Sequence, residues 1–546
     1  MSAEILDVPA QAARPAEAVR VAPAGPAGRP WRRAMLRAAL VPLVVLLPLL
    51  TLAPTADHRF NVYWHGGDFR AHPLRQLAEP FRTVPMYLGF GNFRPLGRLL
   101  ERGVDVAAYL LMELLQLPAN IALRVVAILA AMVLTAVAML LAESITAPGR
   151  LFRRPPSTLT VLIPYGVGAG LVAAGGTSTT VLFGGLYFLS AALVLGVAAV
   201  CCRAVCVDGR LLRAGPAVAA VVSGAALAAC NEIAYLALPL AAVAVAARGR
   251  LVLGLDARSL LGNRATRLVG LLWLGFLPVF LPVRWLIARA CGTGDCYRGS
   301  DVVLGPDLGL AWVHRMVAWL PPVQWQEATR GTAGSWVVGL LPVLALLTLV
   351  LLAAGTAADL RRLPGTGRRA ALAVAVAAGT VLVLGAALAA AGGDMQAAAS
   401  AGRWGLGWRD SGLAAAAGAP ALLGLVLAAG RWRHTPAALL ALLTLAAAGS
   451  AAANGSYAAD TGGRQSSVVN NAIAHEVAVF DRTPAGNTRR CALRAEFRAL
   501  YPDLPYSRFA RAEVPGTTTP TERLEVTIDM ATGHLHGRPF CASDQP

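Results

Sequence analysis

AMLRAALVPLVVLLPLLTLAP, residues 34–54, decides the fold class. It is apolar for long enough to cross roughly 30 Å of hydrocarbon as a helix. Arg29, Arg32 and Arg33 stand just before it, and arginine collects on the cytoplasmic side of a span, so the N-terminus is expected in the cytoplasm. No small-residue cleavage site follows, which makes the segment a retained helix and not a removed signal peptide. The Pro/Ala/Arg-rich leader, residues 1–33, has the composition of a disordered segment.

Working outward, similar apolar stretches recur near residues 121–142, 158–174, 180–200, 214–230, 232–247, 268–288, 335–354, 370–391, 412–429 and 435–453. With the first, they predict an all-α polytopic membrane protein of about eleven transmembrane helices. Composition agrees: of 546 residues 56% are hydrophobic and only 14% charged, against about 25% charged in a soluble domain. The net charge of +18 comes from arginine alone, since the chain has no lysine. Those arginines lie mostly in short clusters between spans, which reads as a topology signal and excludes a nucleic-acid surface. Abundant alanine and arginine without lysine fit a GC-rich bacterial genome.

Alternating sides along the spans gathers seventeen arginines in the inner loops, among them Arg153, Arg203, Arg248, Arg361 and Arg433, and none in the short turns at Gly175–Thr179 and Asn231-Glu232. An odd number of crossings puts the C-terminus outside, in the cytoplasmic (inner) membrane. Disulfides persist on the oxidising side. Cys291 with Cys296, and Cys491 with Cys541, fall in outer segments and are expected to pair. Cys201, Cys202, Cys206 and Cys230 fall in or beside the membrane, where they read as small apolar packing residues; a metal site there lacks a histidine.

The transmembrane domain, residues 34–453, carries two long outer loops, 55–120 and 289–334, and residues 454–546 turn polar. Arg98, Glu101, Arg102, Asp105 and Glu113 within Leu96–Leu117 predict amphipathic helices on the outer membrane face and not a further span. Trp319 and Trp325 beside Pro321-Pro322, and Trp404 and Trp408 beside Arg403 and Arg409, predict interfacial segments. Arg124 and Arg284, near span ends, are expected to snorkel. In the tail, Ser466–Phe480 predicts an amphipathic helix and the alternation in Glu522–Asp529 a strand, within a small extracytoplasmic module closed by Cys491–Cys541.

Charged groups kept beside a membrane need a reason. The first outer loop offers His65, Asp68, Arg70, His72 and Arg75, then Arg94, Arg98 and Glu101. A carboxylate can take a proton from a hydroxyl, and arginines hold phosphate through paired hydrogen bonds; surface ion pairing is the plainer alternative. His65, Asp68 and His72 could also bind a divalent metal, without regular ligand spacing to support it, and no cofactor is implied otherwise. Glu232, at an outer turn between two apolar helices, needs a partner unless it faces water. No phosphate-binding glycine loop, zinc-protease motif or nucleophile elbow is present.

HGGDFRAH (65–72), GNFRPLGRLLE (91–101) and CNEIAYLALPL (230–240), following an inside-to-outside helix, resemble the integral-membrane C-type glycosyltransferases (GT-C) over roughly residues 34–290. The resemblance implies transfer of a sugar from a polyprenyl-phosphate-linked donor to a glycan, lipid or protein acceptor. It implies Asp68 as the catalytic carboxylate near the acceptor, with Arg94, Arg70, Arg98, His65, His72 and Glu232 on the substrate side. Two departures argue against a two-acid or metal-assisted mechanism: GGTSTT (175–180) has no carboxylate, and Phe69 follows Asp68. A transporter or lipid-handling protein, or a non-catalytic scaffold with partner-binding outer loops, are the other classes that fit.

Overall fold

The computed structural model describes residues 28–147, 151–205, 213–291, 296, 302–332, 334, 339–430, 432–501, 517 and 519–542. Residues 1–27 of the leader, Arg150, Cys206, Arg210 and Arg431 lie outside them. The described residues are mainly helical and form no strand; Val302 and Gly392 make one antiparallel bridge.

In chain order, α1 (Gly28–Leu46) enters the bundle. The first long loop follows as α2 (His58–Ala71), α3 (Pro73–Arg82), α4 (Val84–Gly89) and α5 (Pro95–Leu115). The bundle continues with α6 (Ala119–Thr146), α7 (Thr158–Ala169), α8 (Gly184–Arg203), α9 (Ala214–Ala228), α10 (Ala237–Ala247), the short α11 (Ala257–Leu261) and α12 (Arg264–Cys291). The second loop folds as α13 (Leu308–Val317) and α14 (Pro321–Ala328). Then come α15 (Leu340–Leu360), α16 (Arg368–Ala390), the short α17 (Gly393–Ser400), α18 (Ser411–Ala429) and α19 (Thr435–Gly462). The tail is α20 (Gln465–Val479), α21 (Pro484–Leu500) and α22 (Pro520–His536).

Among the described residues, eight helices are long and apolar enough to cross a membrane: α6, α8, α10 with its flanking turns, α12, α15, α16, α18 and α19. The spans expected at 34–54, 158–174 and 214–230 correspond to α1, α7 and α9; α7 and α9 are apolar but shorter. α12 and α15 turn Leu274, Leu281, Leu347 and Leu351 outward, a surface that suits lipid. α9 meets α12 at small residues: a side chain on Gly224 or Gly275 would collide with the backbone of Leu272 or Val221.

One end of the bundle is fixed by arginine. Arg33 and Arg37 at the start of α1 pair with Asp359 at the end of α15, at 2.8 and 2.6 Å. Arg248, past the end of α10, donates to the Ser144, Ile145 and Ala147 carbonyls that close α6, satisfying acceptors the helix leaves open. The last residues of the expected leader are therefore helical: Trp31 is buried, and its Nε1 donates to Arg154 O at 2.7 Å.

At the opposite end the chain departs from helix while still enclosed. Residues 170–183 are largely buried and non-helical, so the break is longer than the short turn expected at Gly175–Thr179 and takes in the ends of the spans expected at 158–174 and 180–200. Such backbone is tolerated at membrane depth only where protein groups satisfy it. Asn454, fully buried in α19, accepts from Ala173 N at 2.7 Å and donates to Val45 O and Leu171 O at 2.9 and 3.0 Å. Ser450 donates to Ala169 O at 2.6 Å, and Ser178 and Thr180 to Val172 O. Arg124 does not snorkel: it is buried and donates to the Thr180 and Val181 carbonyls at 3.1 and 2.8 Å.

Two further expectations are corrected. Trp319 packs under α18 at Gly418, and Trp325 donates to Ser450 Oγ at 3.0 Å, so the second loop is built into the bundle and is not merely interfacial. Residues 522–529 are helix and not strand. Thr519 and Glu522 form a reciprocal capping box, and Leu524, Ile528 and Ala531 are buried while Val526 is 43% exposed, which is a helical face and not alternation. The expected disulfides form, with Cα separations of 5.3 Å for Cys291–Cys296 and 5.0 Å for Cys491–Cys541. Replacing Asn454 by leucine removes three buried hydrogen bonds and is expected to cost about 2–4 kcal/mol, read as a lower unfolding temperature of the protein in lipid nanodiscs.

Candidate functional site

The end opposite the arginine-bracketed one opens between α8, the turn before α10, α12, α16 and the segment before α18 into a cavity of about 1140 Å³, open mouth included. Its wall is mainly apolar, from Ile233, Leu236, Phe280, Leu388 and Ala389. Glu232, Arg284 and Arg409 also line it. Arg284 extends over the Phe280 and Tyr235 rings, 5.4 and 5.6 Å from their centres, and Arg409 over Trp408 at 5.0 Å. Asp410 at one edge is held by buried Arg315 at 2.5 Å.

Asn231 sets the position of Glu232. Its Oδ1 accepts from Ala234 N at 3.3 Å, capping the 3₁₀ turn Glu232–Leu236, and its Nδ2 donates to Ser190 Oγ on α8 at 2.6 Å. The Glu232 carboxylate itself makes no hydrogen bond or ion pair among the described residues. The Arg94-Pro95 element packs on this turn: Leu96 N donates to Ala229 O at 3.0 Å, and a Cβ on Gly97 would lie 3.3 Å from Asn231 N. The charges of Arg409, Arg94, Glu232 and Glu101 all reach Tyr187, which lines the cavity. Arg94 and Glu232, singled out from distant parts of the sequence, therefore meet at one place.

Asp68 is elsewhere. It is half-buried in the last turn of α2, lines neither this cavity nor the crevice described next, and its carboxylate has no partner among the described residues. Beside it, Gly67 faces Met530 and His534 of α22. Arg70 is paired with Glu113 through Nε at 2.8 Å, and His72 is exposed where α2 ends.

His65 and Arg98 belong to a second cluster, between α2 and α5. A crevice of about 320 Å³, open mouth included, is lined by Asn61, Trp64, His65, Thr83, Tyr87, Arg98, Glu101 and Arg102. His65 Nδ1 lies 2.7 Å from Asp105 Oδ2, and both residues are buried. Gln76 donates to His65 O at 2.9 Å and accepts from Arg102 at 2.5 Å. Arg98 stacks on Tyr87, and Arg523 from α22 lies 4.0 Å over Phe60 and 5.6 Å over Trp64, so the last helix completes this layer. Among the described residues, no group of three or more His, Cys, Asp or Glu is arranged to hold a metal.

Sequence reasoning missed Arg284 and Arg409 as cavity residues and Asp105 as the partner of His65. Arg284 and Arg409 carried the signature of interfacial arginines beside aromatic residues, and nothing local distinguishes that from a cavity rim. No protein-family model, no curated protein and no solved structure matches the chain.

Burial, reinforced by Arg124, lowers the His58 pKa from 6.5 to about 3. Burial and the charges of Arg102, Arg523 and Arg98 hold His65 well below its ordinary range. Both are neutral when folded, whereas the unfolded chain protonates them below pH 6.5, so the unfolded state binds more protons and stability falls as pH drops through that value. His58 contributes about 1.4 kcal/mol per pH unit in this range, whereas the raised pKa of the Asp105 carboxyl paired with His65 opposes that histidine's share. The unfolding temperature in nanodiscs is expected to fall between pH 7 and pH 5, and His58→Phe, which keeps the edge contact with Phe183, to make the fall shallower.

Proposed function

We propose that the chain is a GT-C-like membrane glycosyltransferase that moves a sugar from a polyprenyl-phosphate-linked donor to an acceptor at the outer face of the cytoplasmic membrane. In this reading α1, α7 and α9 cross together with the eight long helices, giving eleven crossings, a cytoplasmic N-terminus and an extracytoplasmic tail. The observation that carries it is the cavity with an apolar wall, two arginines and an unpaired carboxylate. An isoprenoid chain suits the wall, and its phosphate suits Arg284 and Arg409.

The acceptor hydroxyl oxygen attacks the anomeric carbon, the bond from that carbon to the phosphate oxygen breaks, and polyprenyl phosphate leaves with the electron pair. The hydroxyl proton passes to a carboxylate acting as general base. Glu232 takes that part here, because it lines the cavity, whereas the resemblance points to Asp68. No nucleotide enters the reaction. A non-catalytic scaffold is the second reading, favoured by the position of Asp68 outside both cavity and crevice.

Membranes containing the protein are expected to transfer labelled sugar from a polyprenyl-phosphate donor. Glu232→Gln should lower the rate by about a hundredfold or more and Asp68→Asn by less than about threefold. The reverse order would return the role to Asp68, and no transfer by the unaltered protein with any polyprenyl-linked sugar would favour the scaffold. For topology, a membrane-impermeant maleimide added to intact cells after mild reduction should label Cys491 and Cys541; labelling only after lysis would invert the assignment.

A further inference from the structure

We propose that the arginine-bracketed end of the bundle carries a binding site for an anionic phospholipid, where the start of α1, the segment before α7 and the end of α15 meet. Separate contacts bring these segments together. Trp31 of α1 stands edge-on to Phe152, with ring centres 4.8 Å apart, and its Nε1 donates to Arg154 O. From α1, Arg33 and Arg37 also bind Asp359 of α15. The chain runs on from Asp359 through Leu360 into Arg361-Arg362. Arg32 and Arg33, Arg153 and Arg154, and Arg361 and Arg362 are therefore gathered at one place from three distant parts of the sequence.

The charge gathered there is not balanced. All six arginines are exposed, and all but Arg33 make no side-chain hydrogen bond or ion pair among the described residues. Asp359 is the one acid within residues 28–40, 151–157 and 355–369, and both its oxygens are already engaged. Glu143, which accepts from Ser157 N at 3.0 Å beside this cluster, is buried. Arginines counted span by span give only the side of a membrane, whereas here the fold collects them around an acid that is already neutralised. A phosphodiester meets guanidinium groups two hydrogen bonds at a time, and basic recesses between spanning helices hold phospholipid head groups in this way.

The apolar neighbours select a lipid over a soluble anion or an acidic protein. Leu36, one turn further along α1 from Arg32 and Arg33, is 54% exposed, and Phe152, next to Arg153, is 52% exposed. On α15, Ala354, Gly355 and Ala358 are exposed, and Leu351 lies uncovered deeper along the same helix. A Cβ on Gly355 would lie 3.5 Å from Arg37 Nη2, so this small-residue stretch runs beside α1. Arginines at the rim with uncovered leucines a turn or two further in match a head group and its acyl chains. The inference needs α15 to cross a membrane. It is independent of the transferase reading and of the side this end faces.

The test uses the full chain in neutral detergent micelles and native mass spectrometry, with phosphatidylglycerol, cardiolipin and phosphatidylcholine added separately. At least one of the two anionic lipids should stay bound, and phosphatidylcholine should not. Arg153→Gln with Arg154→Gln, and Arg361→Gln with Arg362→Gln, should each weaken that binding by about tenfold or more. Arg258→Gln with Arg433→Gln removes the same charge from exposed positions on α11 and in the turn before α19, and should change binding by less than about twofold. If one cluster variant lowers the unfolding temperature, the other and Arg32→Gln carry the test. Excess inorganic phosphate should leave the lipid in place. Displacement by phosphate would reduce the site to a general anion site, and equal weakening in the Arg258/Arg433 variant would reduce the effect to net charge; either overturns the inference, as does absence of anionic-lipid binding or unchanged binding in the cluster variants. Binding lost only in the cluster variants upholds it whether or not sugar transfer is observed.

Discussion

A membrane bundle that breaks its helices must still satisfy the freed backbone, and in this protein that constraint falls on residues 170–183. Asn454 reaches across from α19 to three backbone groups on two other segments, and Arg124 binds two carbonyls from α6. The satisfied segment in turn holds the next one. Ala174 O accepts from Gly407 N at 2.6 Å, and Thr179 donates to the Trp408 and Arg409 carbonyls at 3.1 and 3.0 Å. Arg409, at the cavity, is thus placed by hydrogen bonds that trace back to one buried asparagine.

Charge is used differently at the two ends. At one end arginines close helix termini, as Arg248 does for α6, or pair with a single acid, as Arg33 and Arg37 do with Asp359. At the other, buried pairs such as Arg315 with Asp410 fix the frame, and Glu232 is left unpaired within it. An unpaired carboxylate beside apolar surface is a cost the fold carries, and it stands where the only nearby compensation is a ligand, water or the neighbouring arginines.

The eight long apolar helices were legible because apolar length is a local property. The Arg94-Pro95 and Asn231-Glu232 motifs were legible as sites, although their meeting depends on one backbone hydrogen bond, from Leu96 to Ala229, which no local pattern announces. Arg124 read as a snorkelling residue because its partners are carbonyls, present at every position and therefore silent in a sequence. The tail helix carried both signals. Val526 supplied the alternation, while Thr519-Pro520 with Glu522 spelled a helix start, and the cap together with the Leu524–Ile528–Ala531 face prevails. Asp68 drew attention through its neighbours in sequence, yet the cavity is built by residues from four separate helical elements and the segment before α18.

The position of α22 bears on how the protein is made. Arg523 covers Phe60 and Trp64, and Met530 fills the space beside Gly67, so the first long loop is finished by the last helix among the described residues. Ribosomes add about 5–20 residues per second. The early loop therefore waits on the order of half a minute or more, with aromatic surface uncovered, until the tail has been synthesised and delivered to the same side. A chain that stops short of α22 lacks Arg523 and Met530, and so leaves Phe60, Trp64 and Gly67 without this cover.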